Sequence, residues 1–404
     1  MSSNPHKPSI LVFALFTFSI IGLWGLAFSA FILGVFNLAV PKTKGFTPEM
    51  DFSVAAILLF LSVLIVPSLI NSYKHMLGHP IASSRIGSKP LILVLLAGVW
   101  LSILPLGNWI GQICYAGLLV MPIANLLAFV IPIYLLVVLA LHNSQPINPQ
   151  RPWGILNYAM IGGTTLSFIF ETLVVVALFI GMTGFLATMP QLRESLQQMR
   201  GSLPNLDQTT IEKLTQILFS NPSSIYILLL IVSVATPLVE ESVKPLGILF
   251  FRSSPLRPEN GFFMGVLSGA GFGLLESLMA SIQATGADWV QLAIVRIGSD
   301  CMHITASGLV GWGVVSLFWQ KDWKRFVINF LLAIGLHGLW NSLAIAIGVF
   351  EVVPGLVLPG FAVISKVAPA ILITLSILSI LALWILNRRF FHNRDITVEV
   401  KSML

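Results

Sequence analysis

Glu240, Glu241 and Lys244 stand in TPLVEESVKPLGILFF, a run at 236–251 that otherwise reads as the middle of a membrane helix. Each charged group at a bilayer centre costs about 2.5–3.5 kcal/mol on insertion scales, so three together call for a use. Later apolar runs carry more. Glu276 lies in GFFMGVLSGAGFGLLES, Arg296, Asp300 and His303 in RIGSDCMHITASGLVGWG, and His337 with Asn341 in HGLWNSLA. These side chains suit the activation of water. A buried glutamate can act as general base, with histidine and asparagine donors stabilising the oxyanion of a tetrahedral intermediate. Alternatively Glu276, His303 and His337 supply the one carboxylate and two imidazoles of a catalytic zinc site, with a further glutamate as base. No HExxH occurs, so the soluble zinc-protease motif is absent. Both versions lead to hydrolysis.

Spacing decides which of these groups can meet. Glu240 and Lys244, four residues apart, share a helix face and can pair. Glu241 is turned by about 100° from Glu240, so a plain Glu–Lys strut leaves it without a partner. Pro237 and Pro245 bracket the cluster, and each lacks an amide donor, which predicts a kink or opened turn beside the glutamates. Gly261, Gly265, Gly269 and Gly273 recur every fourth residue and make a groove for close helix approach, with Glu276 near the same face. Arg296, Asp300, His303, Ser307 and Gly311 form one polar stripe, in which Asp300 can pair with Arg296 or orient His303. Cys301, two residues from His303, points nearly opposite, which argues against a cysteine nucleophile. His337 and Asn341 again share a face.

The elements that must position these residues are membrane helices. The 404-residue chain is 56% hydrophobic and 9% charged, with a mean hydropathy of +0.92, too few charges to cover a water-facing surface. The fold class expected is all-α, a polytopic transmembrane bundle. Ten spans are expected at 9–38, 52–71, 90–106, 113–141, 153–187, 224–251, 261–285, 289–319, 326–350 and 367–386. The first is too long for the apolar region of a cleaved signal and reads as a retained helix. With ten spans and a cytoplasmic N-terminus, fourteen lysines and arginines fall on the inner side and six on the outer, which favours both termini in the cytoplasm. The net charge of +6 reflects this distribution and carries no nucleic-acid signal. Cys114 and Cys301 both fall in spans, where no disulfide framework is expected.

The long segment 188–222 divides the chain. Its Ile211, Leu214 and Leu218 share a stripe, predicting a short amphipathic helix that lies on the outer membrane surface or packs over the bundle, with admission of a substrate as the alternative role. The five spans before it hold one acidic residue, Glu171, and no basic one; the chemistry is concentrated after it. The expected organisation is a five-helix membrane region (1–187), the extracytoplasmic loop (188–222), a catalytic four-helix core (223–350), and a last helix with cytoplasmic tail (351–404).

EESVK at 240–244, FGLLE at 272–276, Arg296 with His303, and HGLWN at 337–341, in that order on successive helices, resemble the PrsW family of intramembrane proteases. That family is distantly similar to the CAAX prenyl endopeptidases. The resemblance implies that Glu240, Glu241 and His337 or His303 are essential. It implies a membrane-anchored protein substrate, an anti-sigma factor in the best-known members, and a bacterial cell membrane as the location. It leaves the metal open, since PrsW members are described as metalloprotease-like and the prenyl enzymes as using glutamate-activated water. Glu276 stands where the prenyl endopeptidases place a histidine, which argues against a prenyl-protein substrate. The rival reading is a proton- or ion-coupled transporter, whose charged stripes also line ion paths. The chain lacks the paired similar halves such carriers often show. A scaffold held together by polar contacts is the third reading.

Overall fold

The structure, a computed structural model, describes residues 7–39, 47–79, 83, 87, 89–113, 116–144, 150–186, 222–250, 256–282, 287–352 and 361–392. Cys114, the surface helix expected around Ile211, Leu214 and Leu218, and the tail after residue 392 lie outside them. Among the described residues there is no strand, and ten helices are long and apolar enough to cross a membrane.

The first four spans are Lys7–Ala39, Pro48–Met76, Pro90–Ile110 and Ala116–Leu141. The seventh to tenth are Pro258–Ser281, Ala287–Gln320, Trp323–Val352 and Phe361–Asn387. Several outrun their apolar windows because polar first turns still form helix. The second starts at Pro48 behind Thr47, whose side chain accepts from the Met50 amide at 3.4 Å.

Two spans are broken. The fifth runs as Gln150–Asn157, a π-helical turn at Tyr158–Gly163, and Thr164–Leu186. The sixth, expected as one helix, runs as Pro222–Leu230, a π-helical turn at Ile231–Ala235, Thr236–Val243 and Leu246–Phe250. A π-turn inserts one residue and rotates the helix beyond it, so both breaks reset the faces of the downstream residues.

The seventh and eighth spans are central. In their most apolar windows 83% and 78% of residues are buried, against 6% in the first span, which faces lipid. The fourth and fifth spans pack on one flank of the seventh, with the second span packed in turn on both, while the ninth and tenth cover the eighth. The sixth lies against the fifth, eighth and ninth.

The glycine stripe explains how the central pair comes so close. A Cβ at Gly261, Gly265 or Gly269 would collide with the backbone carbonyl of Gly311, Ser307 or His303, and one at Gly273 would lie 2.7 Å from Asp300 Oδ1. The glycines of the seventh span thus run in register along the polar stripe of the eighth. Gly269→Ala is therefore expected to destabilise the protein by about 1–3 kcal/mol through overpacking. The midpoint of thermal unfolding in detergent should fall, whereas Gly335→Ala, where an added Cβ meets nothing within 4 Å, should leave it nearly unchanged.

Candidate active site

The site is assembled around a stretch of helix that cannot satisfy its own backbone. Pro237 and Pro245 contribute no amide hydrogens, and the helix stops at Val243 before resuming at Leu246. The carbonyls left open are capped from neighbouring spans. Tyr158 Oη donates to Val243 O (3.1 Å) and Ser268 Oγ to Lys244 O (2.9 Å). Upstream, Asn341 Nδ2 donates to Val232 O (3.0 Å), Ser342 Oγ bonds Ser233 Oγ (2.7 Å), and Gly338 is held against Ser233 O. Asn341, read from sequence as a candidate oxyanion donor, thus spends its amide on the π-turn and sets the rotation of the helix carrying the glutamates.

Lys244 is the hub. Its Nζ lies 2.6 Å from Glu241 Oε1, 3.0 Å from Glu240 Oε2 and 3.0 Å from His303 Nδ1, and it sits over the Phe272 ring at 4.2 Å. All four polar residues are buried. The expected Glu240–Lys244 pair is present, but Glu241 is far from partnerless. Lys244 reaches it at i,i+3, His337 Nδ1 lies 3.1 Å from its Oε1, and Ser307 Oγ lies 3.5 Å from its Oε2.

These contacts assign the imidazoles. An ammonium only donates, so His303 Nδ1 accepts from Lys244, which leaves the ring hydrogen on Nε2, 2.8 Å from Glu276 Oε2. A carboxylate only accepts, so His337 Nδ1–H donates to Glu241. His337 Nε2 then faces Glu240 Oε2 at 3.8 Å, beyond direct hydrogen bonding. The ion-pair approach of Lys244 to Glu240 Oε2 is not aligned as a hydrogen bond, and this buried oxygen has no donor among the described residues. Two buried acceptors therefore lie 3.8 Å apart, close enough for one water or cation beside them to reach both.

Four of the five residues expected to act together do converge. Ligand atoms of Glu240, Glu241, His303 and His337 lie within 4.8 Å of one another, and the group could hold a metal ion. Glu276, placed by the sequence reading in a ligand set with the two histidines, stands outside that group on the far side of His303, where Arg296 Nη2 pairs with it at 3.1 Å. Its side chain is 43% exposed while that of Glu241 is fully buried. Asp300 takes neither role foreseen for it directly. It accepts from Ser277 Oγ (2.9 Å), and the same hydroxyl accepts from Arg296 Nε (2.9 Å), so serine mediates between aspartate and arginine. Cys301 is buried and its thiol is free, in keeping with its place off the polar stripe.

Sequence reasoning did not find Tyr158, Ser268, Ser277 or Ser233. A lone tyrosine or serine in an apolar span carries no periodic signal, and only the fold shows which carbonyl it caps. Glu171 did stand out, as the sole charge of the first five expected spans, and its helix, Thr164–Leu186, packs against Thr236–Val243, the piece of the sixth span that carries both glutamates.

Comparison with curated proteins and with solved structures finds no match. A family model described as PrsW family intramembrane metalloprotease matches residues 151–369, more than half of the chain and every residue of the cluster just described. The chain belongs to the PrsW family of intramembrane metalloproteases and is a membrane-embedded peptidase.

Proposed function

We propose that this peptidase cuts a membrane-anchored protein with a water activated by Glu240. The observation that carries the reading is the pair of neighbouring acceptors, Glu240 Oε2 and His337 Nε2, 3.8 Å apart on two buried residues. A water there can donate one hydrogen to each. Glu240 takes a proton as the water oxygen attacks the substrate carbonyl carbon, then returns it to the nitrogen as the carbon–nitrogen bond breaks. Glu241 is fully engaged by Lys244, His337 and Ser307, which suits an anchor for His337 better than a base. Glu276, backed by Arg296 and through Ser277 by Asp300, holds the tautomer and ring angle of His303.

The donor set also fits a divalent cation. Glu240 and Glu241 bring two negative charges against one ammonium, and Glu240 Oε2 is a buried oxygen lacking a donor. Zinc is the ion we propose, held by Glu240, Glu241, His303 and His337, and when bound it would supply Lewis-acid polarisation of the reacting oxygen. Binding it would require Lys244 to give up Glu241 and His303.

The catalytic core is assigned to residues 223–350. Glu276 lies five residues before Ser281, about 7.5 Å along the helix. With both termini cytoplasmic, as the charge distribution favours, that end faces outward and the site opens to the extracytoplasmic half of a bacterial cell membrane. An anti-sigma factor or other single-span regulatory protein is the substrate class that fits such an opening.

Glu240→Gln should lower cleavage by about 10²–10⁴-fold, the usual contribution of a general base. The thermal midpoint should be retained. New N termini released from single-span proteins co-reconstituted with the purified enzyme report the rate, and equal product from both forms would remove Glu240 as base. Lys244→Met leaves two buried carboxylates without their counter-charge and should cost about 3–5 kcal/mol, read as a lower midpoint of thermal unfolding. Zinc titrated calorimetrically into chelator-treated protein should bind at one site in the wild type and lose that binding in His337→Ala. Equal heats from the two would contradict the ligand set.

A further inference from the structure

We infer that a cavity beside the seventh span takes one acyl chain of an anionic phospholipid from the cytoplasmic leaflet. The site is separate from the cluster proposed for hydrolysis, and neither reading depends on the other.

The second span packs on the fourth and fifth, and so does the seventh, so these four form a ring. The ring leaves a cavity of about 380 Å³, lined by Leu64 from the second span and by Phe263, Ala270 and Leu274 from the seventh. On the seventh span these residues occupy a different face from the glycine stripe packed on the eighth. They also differ from Ser268 and Phe272, which meet Lys244 and its carbonyl.

Apart from Tyr134 and Trp153, every side chain lining the cavity is hydrocarbon. Such a space offers water no hydrogen-bond partners, and protein interiors seldom leave one of this size unfilled. Its depth sets what can fill it. Phe263 and Leu274 are eleven residues apart, about 16 Å along a helix. One leaflet is about as deep, half of a hydrocarbon core roughly 30 Å thick. A substrate helix 10–12 Å across would need about three times the volume over that length. An extended hydrocarbon chain fits and a helix does not.

The mouth supplies the headgroup chemistry. Gly87, before the third span, and Pro152 with Trp153, at the start of the fifth, line the cavity at the end where the seventh span begins. With both termini cytoplasmic, as the charge distribution favours, that end is the inner one. Lys89 follows Gly87 by two residues, Arg151 directly precedes Pro152, and Lys74 stands in the last turn of the second span. No aspartate or glutamate occurs between Asp51 and Glu171. Glu259, in the first turn of the seventh span, is buried. Basic residues at this surface attract anionic headgroups, and tryptophan suits the interface between headgroup and chain. A hydrocarbon slot one leaflet deep under a basic rim matches one chain and the phosphate of an anionic phospholipid.

The test uses the full chain in detergent with trace phosphatidylglycerol carrying a diazirine midway along one acyl chain. Irradiation and peptide mapping should place label between Phe263 and Leu274 as well as on the first span, which faces lipid. Ala270→Phe, which fills the cavity, should cut labelling of the seventh span about tenfold and leave the first span unchanged. Leu64→Trp fills it from the opposite wall and serves if the first variant folds poorly. Unlabelled phosphatidylglycerol should compete about tenfold better than phosphatidylcholine with the same chains, and Lys74→Gln with Lys89→Gln should remove most of that difference. Seventh-span label that is absent, or unchanged in both filled variants, would overturn the inference. Equal competition by phosphatidylcholine, or better competition by a free fatty acid, would overturn the assigned occupant. A label-free readout is the midpoint of thermal unfolding. Phosphatidylglycerol should raise it in the wild type and not in Ala270→Phe, and an equal rise in both would contradict the site.

Discussion

The arrangement depends on one buried ammonium. Lys244 touches Glu240, Glu241 and His303 at 3.0, 2.6 and 3.0 Å and rests on the face of Phe272. Without it, two carboxylates on adjacent residues would repel each other in a medium that screens poorly. With it, they are held at fixed positions, one engaged on every side and the other left with an oxygen facing an imidazole. The lysine also decides the tautomer of His303, and through Nε2 of that ring it links the glutamate pair to Glu276 and Arg296. A single point charge thus organises groups from the sixth, seventh and eighth spans. Because a buried ion pair is weak evidence of stability, the cluster reads better as a device for geometry than as glue.

That geometry requires an irregular helix. A regular sixth span would place Glu240 and Glu241 about 100° apart with no means of adjusting their joint rotation. The π-turn at Ile231–Ala235 and the break at Lys244–Pro245 supply the adjustment, and each exposes carbonyls that a lipid environment cannot satisfy. Asn341, Tyr158 and Ser268 satisfy them from three different spans. The glycine stripe of the seventh span performs the complementary task of bringing the backbone of His303 and Ser307 close enough for their side chains to reach the glutamates. Irregular backbone and close packing are two parts of the same solution.

Much of this is legible in the sequence, for identifiable reasons. Ionisable residues in apolar runs are conspicuous, so Glu240, Glu241, His303 and His337 can be named without a fold. The two prolines announce a break in the sixth span, and the four-residue glycine repeat announces a tight helix pair. The illegible part depends on distances between spans. Residue type groups Glu276 with the histidines as a zinc ligand, yet its helix delivers it to the outer side of His303. Pairing at i,i+4 alone leaves Glu241 without a partner, whereas Lys244 reaches i,i+3 as well. Tyr158 and Ser268 are silent because a hydroxyl capping a carbonyl on another helix leaves no periodicity behind.

Everything proposed for the chemistry needs Glu240 Oε2 and His337 Nε2 to lie side by side at a space made for the reacting water or a cation. An experimental map of the detergent- or nanodisc-embedded protein, fine enough to place ordered solvent, tests this most directly. We expect one compact peak of density beside those two atoms, within hydrogen-bonding distance of both, with Lys244 still against Glu241 in the absence of metal. A closed gap filled by a protein side chain, or glutamates turned to opposite sides of their helix, would contradict it.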